Sequence, residues 1–166
     1  MWRGFSHIRL GFCGYADKFT LQMAATEDSP WRGYLIRGEV HDGNAFLEGP
    51  FLNPAKKGAM PADCLFLPDR EMMDRWLALG RGHVRQVTIA PELPGALPLI
   101  RYLAEQGLVV TGGHTDATYE ESLAGIDAGI TVANHTFNAM RGLNHRSPGA
   151  VGAYWRWQPR GWTAPP

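Results

Sequence analysis

Between residues 44 and 153 the sequence alternates short apolar runs with amphipathic stretches, and this alternation restricts the fold more than any other feature of the chain. Asn44 to Leu47 reads as a short strand that ends at Glu48. Asp69 to Leu79 sets Met72, Met73, Trp76 and Leu77 at helical spacing and stops at Gly80. His83 to Ala90 is rich in β-branched residues and reads as a second strand. A helix is predicted to begin after Pro94, because Pro98 is tolerated only in a first turn, where its missing N–H would have had no partner. Leu97, Ile100, Leu103 and Ala104 form the apolar face of that helix, and Gly107 caps it.

Leu108 to Thr111 gives a third strand. Thr118 and Glu121 have capping-box spacing for a helix reaching Ala128, with Tyr119, Leu123 and Ile126 as its expected apolar stripe. Ile130 to Ala133 is a fourth strand. Strand–loop–helix units at this spacing imply an α/β fold with parallel strands and helices packed outside them. Four such strands amount to a partial (β/α)8 TIM barrel. An open sheet of that kind has two free edges and an apolar inner face, which favours association.

The flanks differ in character. Residues 1–43 show no sustained periodicity. Residues 154–166 hold three of the chain's six tryptophans with three prolines and two arginines, which suits neither strand nor helix. The chain thus divides into an N-terminal segment (1–43), a partial barrel domain (44–153) and an irregular tail (154–166).

Sixteen basic residues balance sixteen acidic ones, for a formal net charge of zero. That balance gives no general attraction to nucleic acid or to an anionic membrane, so a small anionic ligand would need a local basic residue. Cys13 and Cys64 have no paired spacing, which argues against a disulfide framework and for thiols in a reducing compartment. No leader pattern and no apolar run of about 18 residues is evident, and a cytoplasmic location is expected.

Three residues share one structural position. Glu48 follows the first strand, His114 follows the third by two glycines, and His135 follows the fourth by one residue. In a barrel the C-terminal strand ends converge on one mouth, where active sites sit. Two imidazoles and a carboxylate meeting there form a three-ligand set that leaves a position open for water. Spacing alone leaves another account open, in which the histidines are hydrogen-bonded structural groups and Glu48 satisfies backbone N–H groups in a Gly-Pro turn.

The local sequence adds to this. Leu47-Glu48-Gly49-Pro50-Phe51-Leu52-Asn53 with Lys56-Lys57-Gly58, Val87-Thr88-Ile89-Ala90-Pro91-Glu92, Gly113-His114-Thr115-Asp116-Ala117-Thr118, His135-Thr136-Phe137-Asn138-Ala139-Met140 and Arg146-Ser147-Pro148-Gly149 occur in that order. Together these five blocks resemble the N-acetylglucosamine-6-phosphate deacetylases of the amidohydrolase superfamily. The resemblance implies metal-dependent hydrolysis of the acetamide of N-acetylglucosamine 6-phosphate to glucosamine 6-phosphate and acetate, in amino-sugar catabolism. It implies Glu48, His114 and His135 as ligands of one divalent metal ion, zinc first, with iron, cobalt or manganese as alternatives. It also implies Asn138 and Ala139 as amino-sugar contacts, the backbone near Ala59 as a further contact, and Arg146 as a phosphate contact. The partner it implies is a small amino-sugar phosphate, with neither nucleic acid nor membrane, in a homo-oligomer for the full-length family.

The chain departs from the family pattern at several positions. Phe46 and Met60 stand where the family has histidines, and Val132 and Ser147 also replace its usual residues. Residues 1–43 and 154–166 match nothing in the family, so the resemblance implies a truncated fragment. The family's general-base aspartate and its early His-x-His strand have no counterpart, so no catalytic residue is assigned and slow turnover is expected of this chain by itself. The alternatives are a non-catalytic remnant that binds metal or sugar phosphate, and another amidohydrolase.

Overall fold

The computed structural model of the chain describes residues 18–22, 35–41, 44–80 and 82–156. Their strands form one six-stranded sheet in sequence order. Strands β1 (Lys18–Gln22), β2 (Leu35–His41) and β3 (Asn44–Glu48) are antiparallel neighbours. From β3 onward the sheet is parallel, through β4 (Val84–Ile89), β5 (Val109–Gly112) and β6 (Ile130–Ala133). All four strands expected from the sequence are present. The two antiparallel strands were not expected: Leu-Ile-Arg-Gly-Glu-Val-His breaks alternation, and Lys-Phe-Thr-Leu-Gln alternates over only five residues within a stretch that has no sustained period. Pairing with β3 is the visible reason that β2 is a strand.

Four helices accompany the sheet: α1 (Arg70–Gly80), α2 (Ala96–Glu105), α3 (Tyr119–Ala128) and α4 (Gly149–Arg156). Asp69 caps α1 by accepting the Met72 N–H at 2.8 Å. Met73 and Trp76 of α1 are buried, and Met72 and Leu77 pack against the same cluster. Pro98 sits in the first turn of α2, as its chemistry requires. The capping box of α3 is closed from both sides, with Glu121 N–H donating to Thr118 Oγ1 and Thr118 N–H donating to Glu121 Oε2.

Two expectations need correction. The deepest face of α3 is Ser122, Gly125 and Ala128, while Tyr119, Leu123 and Ile126 are only partly buried. A Cβ on Gly125 would lie 2.7 Å from the Pro91 Cβ and 2.9 Å from the Ile130 Cδ1, so the helix lies too close to the sheet for a large side chain there. The tail is also less irregular at its start than expected, because α4 runs through Tyr154, Trp155 and Arg156. Ala150, Val151 and Ala153 anchor it, and Tyr154 packs against the main core. Residues 157–166 lie outside the described residues, as do Cys13 and the segment preceding β1.

The core lies between the sheet and its helices. Val87, Ile89, Val110 and Ile130 of the strands meet Leu99, Ile100 and Leu103 of α2, each almost fully buried. Each such side chain contributes about 1.5–3 kcal/mol relative to exposure. On the opposite face the register puts Glu48, Thr88, Thr111 and Val132 in one row across the four parallel strands. Val109 and Val132 remain substantially exposed there. β6 is an edge strand among the described residues, as expected for a partial barrel. None of the described helices is long and apolar enough to cross a membrane.

Candidate metal centre

Glu48 ends β3 and heads this row, while the loops after β5 and β6 bring the two histidines to it. Nε2 of His114 and Nε2 of His135 each lie 3.0 Å from Glu48 Oε1, and 3.0 Å from each other. The rings meet edge to face, with centroids 4.7 Å apart and planes at 89°. His114 is buried, whereas His135 and Glu48 keep about a quarter to a third of their side chains exposed.

The second nitrogen of each ring settles which atom faces the centre. His114 Nδ1 donates to the Lys56 carbonyl at 2.7 Å, and His135 Nδ1 donates to the Asn138 carbonyl at 3.1 Å. A carbonyl only accepts, so both protons reside on Nδ1 in the neutral rings, and both Nε2 lone pairs point inward. Two lone pairs and a carboxylate oxygen at 3.0 Å repel one another unless a proton or a cation lies among them. His135 is the ring that shows this pull on a proton. Its hydrogen bond to Glu48 raises the His135 pKa, and the two imidazoles hold the Glu48 carboxyl far below the usual carboxylate range.

A divalent ion fits the same arrangement. Two histidine nitrogens and one carboxylate oxygen are three donors of the kind a divalent ion takes, with one position left for water. Donors sharing one ion at the usual bond lengths lie roughly 3.3 Å apart in tetrahedral geometry. The orienting carbonyls on Nδ1 are the support that metal-ligating histidines ordinarily have.

The backbone is bent to achieve this. His114 (φ +47°) and His135 (φ +26°) are both in the left-handed region, as are Phe137 and Ala139. Non-glycine residues rarely adopt it, and it persists where surrounding contacts over-determine the chain. Gly113 is required at its position, since a Cβ there would come within 2.8 Å of the Asn134 Cβ and 3.2 Å of Thr88 Cγ2.

The other expected site residues are more dispersed in character. Asn138 is exposed and contributes its carbonyl to His135. The Ala139 carbonyl accepts from the Thr115 N–H, tying the two histidine loops together. Ala59 is exposed, whereas Met60 is buried at 2% exposure and turned into the interior. Arg146 is exposed in the turn closed by Asn144 and Ser147, and its guanidinium has no partner among the described residues. Asp116 is engaged by Arg141 at 2.8 Å and Lys56 at 3.3 Å, which hold its carboxyl below the ordinary value.

Two residues escaped the sequence reading. Asn134 donates from Nδ2 to Glu48 Oε1 at 3.1 Å, across 86 positions of sequence. Glu92 accepts hydrogen bonds from Asn53, Thr115 and Asp116. Neither spacing nor periodicity signals such contacts.

Comparison with known proteins gives a consistent picture. No family model matches the chain. The N-acetylglucosamine-6-phosphate deacetylase of Lysinibacillus sphaericus is 39% identical over 106 residues, covering 64% of this chain and 27% of that protein. The N-acetylgalactosamine-6-phosphate deacetylase of Escherichia coli O157:H7 is 40% identical over 109 residues, covering 66% and 29%. Among solved structures, a mutant N-acetyl-D-glucosamine-6-phosphate deacetylase from Mycobacterium smegmatis in complex with N-acetyl-D-glucosamine-6-phosphate superposes with a TM-score of 0.63. It is 47% identical and covers 64% of this chain and 28% of that one. The chain therefore spans less than a third of the length of the relatives it matches. Over the matched part the resemblance to these deacetylases extends from sequence to fold.

Proposed function

We propose that this chain carries the metal-binding part of a deacetylase site for an N-acetylated amino-sugar 6-phosphate. The observation that supports it most is the trio Glu48, His114 and His135, whose donors converge while both Nδ1 atoms are committed elsewhere. These three residues would hold one divalent ion, with zinc the first choice for a donor set of two nitrogens and one oxygen. Such an ion lowers the pKa of a bound water and polarises a carbonyl, which is the chemistry amide hydrolysis requires.

The chain's own residues supply the rest of the reading. Asn138 and Ala139, in the loop that carries His135, contact the amino sugar. Arg146, without a guanidinium partner among the described residues, receives the phosphate, which a guanidinium binds through two parallel hydrogen bonds. Ala59 offers backbone polar groups from the loop after β3. Asp116, the carboxylate nearest His114 in sequence, is already paired with Arg141 and Lys56, and we give it no role in proton transfer. Proton delivery to the leaving amine therefore has no assigned donor here, and a missing acid or base costs about 10²–10⁴ in rate.

The relatives include enzymes named for both the gluco and the galacto sugar, so both substrates belong in the test. Zinc binding is measured by competition with a chromophoric chelator, and acetate release is followed with each sugar phosphate. We expect about one zinc per chain, lost in His114→Ala, and turnover well under about 1 per second. Absence of zinc binding by the folded chain would sink the reading. Tight binding of zinc or sugar phosphate with no turnover at all would favour a non-catalytic binding role.

A further inference from the structure

The loop after β4 carries Glu92, a partly buried carboxylate that the reading above leaves unused. Its Oε1 accepts from Asn53 Nδ2 at 3.0 Å and from the Asp116 N–H at 2.7 Å, and its Oε2 accepts from Thr115 Oγ1 at 2.5 Å. One side chain thereby grips the loop after β3 and the loop after β5, from the strand between them.

Its hold on Asn53 leads to the histidine. Asn53 Oδ1 accepts the Ala55 N–H at 2.8 Å and so caps the short 3-10 turn Pro54–Lys56. With Oδ1 committed, the amide presents Nδ2 to Glu92, and its rotamer is fixed from both ends. The Asn53 backbone N–H donates to the His114 carbonyl at 2.9 Å, and the Asn53 carbonyl receives the Lys56 N–H. The Lys56 carbonyl then accepts from His114 Nδ1. On the other side Glu92 holds Thr115 and Asp116, the two residues after His114, whose own backbone is left-handed.

The geometry points to Glu92 as a positioning residue for His114: it sets the Lys56 carbonyl opposite Nδ1 and so keeps the Nε2 lone pair aimed at Glu48. Glu92 touches neither ion nor substrate. It acts through Asn53, the 3-10 turn and the β5 loop. The two N–H donors share Oε1 and the Thr115 hydroxyl takes Oε2, so removing the side chain frees both loops at once, whereas a glutamine could keep Oε1 for the N–H groups and donate to the hydroxyl.

The test is Glu92→Ala in the full chain, with Glu121→Gln of the α3 capping box as control. The tautomer of His114 is read in the metal-free chain at about pH 8 from long-range proton–nitrogen correlations of the imidazole, and zinc affinity is read by chelator competition. Glu92→Ala is expected to mix the His114 tautomers, leave the His135 proton on Nδ1, where the Asn138 carbonyl holds it, and weaken zinc about 10–100-fold. The control is expected to change neither. A folded Glu92→Ala chain with a single, wild-type His114 tautomer would overturn the inference. The affinity arm rests on the metal reading proposed above, whereas the tautomer arm does not. If wild type binds no zinc, the metal reading fails and the tautomer still decides the role of Glu92. Should Glu92→Ala not fold, Asn53→Ala cuts the path to Lys56 while sparing the bonds to Thr115 and Asp116. It is expected to give the same tautomer mixing, and an unchanged His114 would count against the inference.

Discussion

The loops after β5 and β6 each deliver one imidazole to the same carboxylate oxygen, yet they are built differently. His114 is buried, and groups from the loop after β3 hold it at its carbonyl and at Nδ1. His135 is partly exposed, on the loop after β6, the edge strand among the described residues, and its Nδ1 partner is the Asn138 carbonyl of its own loop. One ligand is thus fixed by tertiary structure and the other chiefly by local chain geometry.

Replacing each histidine by alanine tests this contrast most severely. Both changes should abolish zinc binding, so their difference is to be sought in stability, measured by denaturant unfolding with a chelator present. His114→Ala leaves the Lys56 carbonyl without its donor and opens a buried space, at a cost of about 1–3 kcal/mol. His135→Ala should cost less than about 1 kcal/mol. Equal losses would end the distinction.

Glycines in the two loops give a comparison that needs no metal. Gly113→Ala drives a methyl against Asn134 and Thr88 and should cost about 1–3 kcal/mol. Gly142→Ala, after the β6 loop, meets nothing within 4 Å and should stay within about 0.5 kcal/mol. Thermal unfolding of the pair separates the two cases.

Asn134→Ala sharpens the comparison from the β6 side. It removes the amide that steadies Glu48 and should weaken zinc about 10-fold, with little change in stability. An unchanged affinity in the chelator assay would mean that the histidines alone orient Glu48.

The smallest effect is expected at Asp116. Its pairs with Arg141 and Lys56 are more than a third open to solvent, or nearly so, and Asp116→Asn should cost about 0.2–1 kcal/mol. Because the folded-state pKa is depressed from 3.8, this contribution is present above that pH and disappears as pH falls through the lower, folded value. Stability curves of wild type and variant should therefore converge in acid, and a gap that widens there would contradict the assignment.

The sequence by itself determined the four parallel strands, the capping box at Thr118, the placement of Pro98 in a first turn, and the strand-end positions of Glu48, His114 and His135. Each of these depends on neighbours within a few residues, through side-chain periodicity or the hydrogen-bonding needs of a helix end. Tertiary structure alone decided the rest. β2 is a strand alongside β3 despite its broken alternation. The buried face of α3 moved to Ser122, Gly125 and Ala128 because Pro91 and Ile130 press against it. Glu92 and Asn134 acquired their partners across 23 to 86 positions of chain. A local pattern records which face of an element is apolar, but not how near another element approaches or which distant donor meets a given carboxylate. Those follow only when the strands are laid side by side and their loops are brought to one edge of the sheet.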